Sequence, residues 1–315
     1  MSRPVARLRA ISEQFTGAAA ADIAPLKDAQ LLHRGNPVHH LGPLRVSSTQ
    51  NDAPAELRRR LAEDGYLFLP GALGRARVER ARMAMLERIV SCAPGLLLDT
   101  PHTPLMAAQL DSAAELSSAT AQLDCTAKLS PANILMGNPA TQAVLFAGPM
   151  MQIMESLFEE PAAHLDYHWL RAKSTDNGAG SSTTSPHCDL VYMGRGCRQR
   201  LTTAWTPFSD VGFTRGGLML LEGSHAAATH GAVAIEAGNE AVLTEPQRKL
   251  GEYVTSDTDT YCIGEENGAP KKWYQPGSDG LAVAEELFPD SPRWLTADFR
   301  MGDVLLFSVY PLPAE

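Results

Sequence analysis

The strongest constraint on the fold is a change of hydrophobic period near residue 163. Upstream of it, the spacing predicts helices. Pro54 to Asp64 sets Leu57 and Leu61 at helical spacing and ends at Gly65, a residue suited to a helix C-terminus. Residues 74–91 place Val78, Met85, Leu86 and Ile89 on one face. Asn138-Pro139 reads as a helix start, because Asn can cap free N–H groups and proline at the first position gives up no needed donor. The helix it opens is expected to turn Met150, Ile153, Met154 and Leu157 inward; core packing is a plainer account of this Met-rich stripe than a cofactor box. Between the first two helices, Tyr66-Leu67-Phe68-Leu69 is a short apolar strand closed by Pro70-Gly71.

Downstream, short strands replace helices. His164 to Lys173, Cys188 to Met193, Leu201 to Phe208, Leu218 to Leu221 and Val304 to Tyr310 have strand length and β-type residues, separated by Gly, Ser, Thr and Asp clusters. Helices first and many short strands after predict an α+β chain whose second half is a β-sandwich or barrel. Residues 226–297 interrupt that pattern as a long polar insertion with a few helical pieces, and its length suggests a lid. No internal repeat is present. The domain reading is a partly irregular N-terminal extension over 1–54 and a single domain over 55–315.

Charge and cysteine usage narrow the function classes. With 27 basic and 36 acidic residues the chain carries a net charge of −9. A nucleic-acid surface needs clustered Lys and Arg to displace counterions from phosphate, so nucleic acid is not an expected partner. The five cysteines are an odd number without CxxC spacing, which fits neither a zinc knuckle nor a secreted disulfide framework. That points to a reducing, intracellular compartment and to the cytoplasm first. The first 24 residues carry Arg3, Arg7 and Arg9 without a continuous apolar core; a mitochondrial presequence is the alternative, weakened by Glu13 and Pro4. No run of 18 apolar residues occurs, so no membrane span is expected.

The segment with chemistry in it runs from Ser181 to Met193, where a polar loop leads through Pro186 into His187-Cys188-Asp189. On a strand, residues two apart point to the same side, about 7 Å apart along the backbone. An imidazole and a carboxylate so placed can converge on one cation, and that donor pair with open positions suits non-haem Fe(II). The bland reading is a turn histidine beside an Asp bonded to a nearby N–H. A second His-x-Asp stands at His164-Leu165-Asp166, inside an alternating strand pattern where satisfied polar groups on a sheet face are the simpler account. Spacing alone does not choose between the two.

Context does. Trp169-Leu170-Arg171, Ser185-Pro186-His187-Cys188-Asp189, Thr203-Ala204-Trp205, Gly216-Gly217-Leu218-Met219-Leu220-Leu221-Glu222-Gly223-Ser224-His225 and the stretch from Trp294 to Tyr310 follow one another as in the phytanoyl-CoA dioxygenase family. Asp64-Gly65-Tyr66-Leu67-Phe68-Leu69 is similar to that family's N-terminal element, so the resemblance covers most of residues 55–310. It implies a double-stranded β-helix (jelly-roll, cupin-like) with N-terminal helices packed outside. It also implies Fe(II) held by two histidines and a carboxylate, 2-oxoglutarate as co-substrate, and hydroxylation of a small lipid-like or secondary-metabolite substrate, with ascorbate as reductant in an assay. Position by position, His187 and Asp189 fall on the first two iron ligands and Trp205 on a strand lining the cofactor pocket, with Tyr192 and Arg171 expected at the substrate pocket. His225 falls on a turn that is mainly structural.

The chain departs from the family at its end. Continuing the strand from Val304 to Tyr310, the resemblance implies the second histidine ligand at the position of Pro313, and proline offers no donor. The arginine that would pair with the far carboxylate of 2-oxoglutarate, and a last barrel strand, would lie past Glu315; the sheet edge would be left open. A truncated chain is the favoured explanation. An inactive family member acting in binding or assembly is the second, and a substitute donor (His230, His225 or Glu315) the third. A cupin-type metalloenzyme that does not use 2-oxoglutarate would need more histidines near one strand pair than the sequence holds. Substrate and oligomeric state are open at this point.

Overall fold

The computed structural model describes residues 31–33, 36–92, 138–165, 186–190, 200–212, 217–255, 280–288 and 293–314. In chain order the elements are β1 (Leu32–His33), β2 (Asn36–Pro37), β3 (Leu41–Pro43), α1 (Pro54–Asp64), β4 (Tyr66–Leu69), α2 (Arg75–Cys92), α3 (Pro139–Leu145), α4 (Pro149–Phe158) and β5 (Thr202–Trp205). They continue with β6 (Met219–Leu221), α5 (Ser224–Glu236), a 3-10 turn (Glu240–Val242), α6 (Glu245–Thr255), α7 (Gly280–Glu286), β7 (Trp294–Thr296), β8 (Val304–Ser308) and β9 (Pro313–Ala314).

Local chemistry sets most of the helix boundaries. Helix α1 begins at Pro54 and stops where Gly65 takes φ 78°, a left-handed conformation that a side chain would strain. In α2, Val78, Ala81 and Met85 are buried as the spacing requires; the side chains of Leu86 and Ile89 lie outside the described residues. Asn138 caps α3 by accepting from the Ala140 and Thr141 N–H groups at 3.1 and 3.4 Å. The single helix expected from Asn138 is two helices. Gly148 adopts φ 58° and Pro149 has no N–H to continue the ladder, so the chain turns and α4 starts afresh. Met150, Ile153, Met154 and Leu157 are buried on α4, as core.

Besides the two-stranded β1-β2 sheet, two larger sheets organise the rest. One has the order β3-β7-β6-β9 and the other β4-β8-β5. All pairings within them are antiparallel except β3 with β7. Side-chain alternation then sorts residues into layers. Tyr66 and Phe68 of β4, Leu305 and Phe307 of β8 and Trp205 of β5 share one apolar cluster with Leu220 of β6 and Leu295 of β7. The sheets therefore face one another across that cluster. The opposite side of β4 and β8 (Leu67, Leu69, Val304, Leu306) packs with residues of α1, α2, α3 and α4. The opposite side of β6, β7 and β9 (Met219, Leu221, Trp294, Ala314) packs with α5, α6 and α7. Helices flank mainly antiparallel sheets on both outer faces, and the class is α+β.

Strand expectations met the structure unevenly. Tyr66–Leu69, Thr202–Trp205, Met219–Leu221 and Val304–Ser308 are strands inside the expected runs. Of the run 164–173, His164 and Leu165 are not strand, and residues 166–173 lie outside the described residues. Of the run 188–193, Asp189 and Leu190 have helical backbone, which corrects the expected strand there; residues 191–193 lie outside the described residues. A short apolar run is ambiguous between the two states, and tertiary bonds described below decide it. The described part of 226–297 is mostly helix and reaches the core through Leu250, Tyr253 and Val254 of α6, and Trp294–Thr296 is an inner strand. At the chain end, β9 borders β6, pairing Met219 with Ala314 and Leu220 with Pro313.

One carboxylate ties the turn before β8 to the end of β4. Asp303 is buried and accepts from the Gly71 and Arg300 N–H groups at 2.8 and 2.7 Å, while burial pushes its carboxyl above the usual carboxylate range. Nearby, Asp210 accepts from Nη1 and Nη2 of Arg75 at 2.8 and 3.0 Å and from the Met301 N–H at 2.9 Å. These bonds hold β8, the central strand of its sheet, against β4 and β5.

Candidate metal centre

Residues 186–190 are held largely by hydrogen bonds to α6 and to the chain just after β8. The Cys188 N–H donates to the Tyr253 hydroxyl at 3.3 Å, the Cys188 thiol to the Tyr310 carbonyl at 3.1 Å, and the Leu190 N–H to the Val309 carbonyl at 3.0 Å. Cys188 and Leu190 send their side chains into the apolar cluster under α5, α6 and α7. His187 and Asp189 do not join that cluster. They are nonetheless 7 % and 5 % exposed, an unusual position for two ionisable groups unless they are paired.

They are paired. His187 Nε2 stands 3.2 Å from Asp189 Oδ1, and the other carboxylate oxygen, Oδ2, accepts from the Thr203 hydroxyl at 2.5 Å. Thr203 lies opposite Phe307 in the β5–β8 register and two residues from Trp205. It therefore shares the side of β5 that faces the second sheet. The imidazole and carboxylate converge there although the backbone between them turns helical at Asp189 rather than running on as a strand. An imidazole nitrogen and a carboxylate oxygen side by side, shielded from water, form a donor pair suited to Fe(II) and related cations.

A family model described as Phytanoyl-CoA dioxygenase (PhyH) matches residues 61–312. The chain belongs to the phytanoyl-CoA dioxygenase family. That family is part of the Fe(II)/2-oxoglutarate oxygenase superfamily, and the match spans the His187–Asp189 pair, the whole β4-β8-β5 sheet and strands β6 and β7 of the other, leaving β3 and β9 outside it. Among curated proteins, none matches the chain.

Other residues singled out in the sequence fall in different places. Trp205 is half-buried in the cluster between the sheets, its ring 4.6 Å from that of Phe299. Tyr192 and Arg171 lie outside the described residues, as do Asp166 and Glu315. His164, of the rival His-x-Asp, stacks on Phe146 with ring centroids 4.2 Å apart.

Of the substitute donors, the two that are described, His225 and His230, make their contacts elsewhere. Burial lowers the His225 pKa below the ordinary imidazole value, and hydrogen bonds to the backbone of Glu63 and Ala62 offset this in part. The same ring packs on Gly65, where an added Cβ would stand 2.7 Å from His225 Cβ. His225 thus locks the end of α1 to the start of α5. His230 is exposed beside Gln247, its Nδ1 3.5 Å from the amide nitrogen. Pro313 is buried and paired with Leu220. Among the described residues, no group of three or more His, Cys, Asp and Glu side chains is placed to hold a metal ion.

Sequence reasoning did not single out two residues that shape the site. Tyr253 lies in a stretch expected to be a polar insertion, and no local pattern marks its hydroxyl as an acceptor for Cys188. Thr203 was part of the resembling Thr203-Ala204-Trp205 piece but carried no role. Its parity with Trp205 on β5 is the signal that could have found it.

Proposed function

We propose that this chain is an Fe(II)/2-oxoglutarate-type oxygenase in architecture, with His187 and Asp189 as two protein donors to iron. The observation that carries the reading is their 3.2 Å convergence in a shielded position, within a chain that belongs to this family. The facing sheets with helices outside support a double-stranded β-helix, and the donor pair lies toward its interior. When bound, Fe(II) would let dioxygen hydroxylate an unactivated C–H bond, with 2-oxoglutarate giving the two balancing electrons as it becomes succinate and CO2. The chain's own residues hold and shield that site. His187 would offer a ring nitrogen and Asp189 one carboxylate oxygen, both buried, and Trp205, Phe299 and Phe307 belong to the apolar cluster on the side of β5 that Thr203 shares. Trp205 is assigned to the cofactor side, and Tyr192 and Arg171 to the pocket of a small lipid-like or secondary-metabolite substrate. An intracellular, cytoplasmic setting accords with the cysteine usage, and no helix among the described residues is long and apolar enough to cross a membrane.

One observation favours a second reading, binding or assembly without turnover. The position implied for the distal histidine is Pro313, whose backbone is taken up in the β6–β9 pairing. Both readings retain the metal pair and differ in turnover. The 315-residue chain is expected to bind Fe(II) under anaerobic titration, and His187→Ala to lose that binding. Retained affinity in His187→Ala would remove the assignment. With 2-oxoglutarate, Fe(II) and ascorbate, little succinate is expected; robust succinate release would show that a third donor completes the site and would favour the oxygenase over the binding protein.

A further inference from the structure

We infer that Thr203 is a positioning residue that commits one oxygen of Asp189 and so makes this carboxylate a single-oxygen donor. The inference rests on the metal-site reading above and adds a role for a residue on a different element. Its basis is the division of labour at the carboxylate. Oδ2 accepts the Thr203 hydroxyl at 2.5 Å, and Oδ1 faces His187 Nε2 at 3.2 Å. A hydroxyl bonded to a carboxylate is a charge-assisted contact, shorter and roughly twice as strong as a neutral one. It leaves the oxygen beside the imidazole as the one turned toward a shared cation.

Thr203 is itself well anchored for this work. Its backbone is paired with Phe307 on β8, the central strand of the three-stranded sheet. Its branched Cβ restricts the side-chain torsion that aims the hydroxyl. The Asp189 backbone, in contrast, sits where the chain turns from an extended bridge into helical backbone. The flanking N–H groups of Cys188 and Leu190 are tied to Tyr253 and Val309, but these bonds do not fix the rotation of the Asp189 carboxylate. Among the described residues, Thr203 is the contact that holds Oδ2, leaving Oδ1 on the His187 side. It acts on metal binding through Asp189, and partners that orient a ligand typically change affinity about 10- to 100-fold when removed.

The test uses the full chain and Co(II) as the probe, read by its visible d–d absorption and by equilibrium titration. Thr203→Val keeps the shape and the strand propensity and deletes the hydroxyl; Thr203→Ser keeps the hydroxyl. Thermal unfolding without metal establishes that each variant is folded, and Thr203→Ala serves as a second hydroxyl deletion if Val disturbs packing. The expected result is Co(II) affinity at least about tenfold lower in Thr203→Val, with an altered absorption band, and recovery to near the parent value in Thr203→Ser. Wild-type affinity and an unchanged band in the hydroxyl deletions would overturn the positioning role while leaving the metal centre standing. Absence of Co(II) binding in the parent chain would overturn the metal reading, and this inference with it.

Discussion

Gly231 and Gly251 bring helices α5 and α6 into backbone contact. A Cβ built on Gly231 would stand 2.8 Å from Gly251 Cα, and one built on Gly251 would stand 2.7 Å from Gly231 Cα. Both atoms met are backbone, so no side chain can rotate away to make room. The contact matters beyond the helix pair, because α6 carries Tyr253 to the peptide between His187 and Asp189.

Gly251→Ala is therefore expected to push α6 from α5 rather than to add helix propensity. The strain of overpacking is about 1–3 kcal/mol, which outweighs the roughly 1 kcal/mol that Ala gains over Gly inside a helix. Denaturant unfolding checks this, with a lower midpoint expected. A midpoint equal to or above the parent's would mean that the helices are free to separate.

Tyr253→Phe removes the acceptor of the Cys188 N–H while leaving the buried ring in place. A lost hydrogen bond of this kind is worth about 1 kcal/mol. The more direct readout is amide hydrogen exchange at Cys188, expected to accelerate in the variant while the strand β8 amides stay protected. Unchanged exchange at Cys188 would show that the hydroxyl plays no part in holding the donor segment.

Acid should weaken the fold through His225. Its folded pKa lies below the ordinary 6.5 because burial disfavours the imidazolium, with the backbone of Glu63 and Ala62 opposing in part. Below pH 6.5 the unfolded chain then binds more protons at this ring than the folded chain does. The stability it contributes is complete above pH 6.5 and is lost as pH falls through the lowered folded value. Melting temperature measured from pH 7 to pH 5 should fall, and His225→Asn should flatten that slope. A slope of equal steepness in the variant would assign the acid sensitivity to other groups.

Legibility in the sequence followed locality. Gly65 as the stop of α1, Asn138 as the cap of α3 and the buried stripe of Met150, Ile153, Met154 and Leu157 could be read because each depends on residues within a turn or two. The break at Gly148-Pro149 was equally local and was overrun by the longer apolar period. Two-residue and three-residue strands such as β3 and β9 were not legible, since so short a segment has no period and is strand only because β7 or β6 lies beside it.

At the site, the residue types of His187 and Asp189 and their separation by one position were visible in the chain alone, and the family resemblance separated them from His164 and Asp166. What only the tertiary structure decided is how they meet. The segment does not run on as a strand; it turns at Asp189, with its N–H groups drawn to Tyr253 on α6 and Val309 beyond β8. The carboxylate faces His187 with one oxygen, while Thr203 on β5 holds the other. Sequence determines which donors exist and which local turns are possible. Their orientation is set by hydrogen-bond partners 14 and 65 residues away along the chain, and no local pattern specifies such partners.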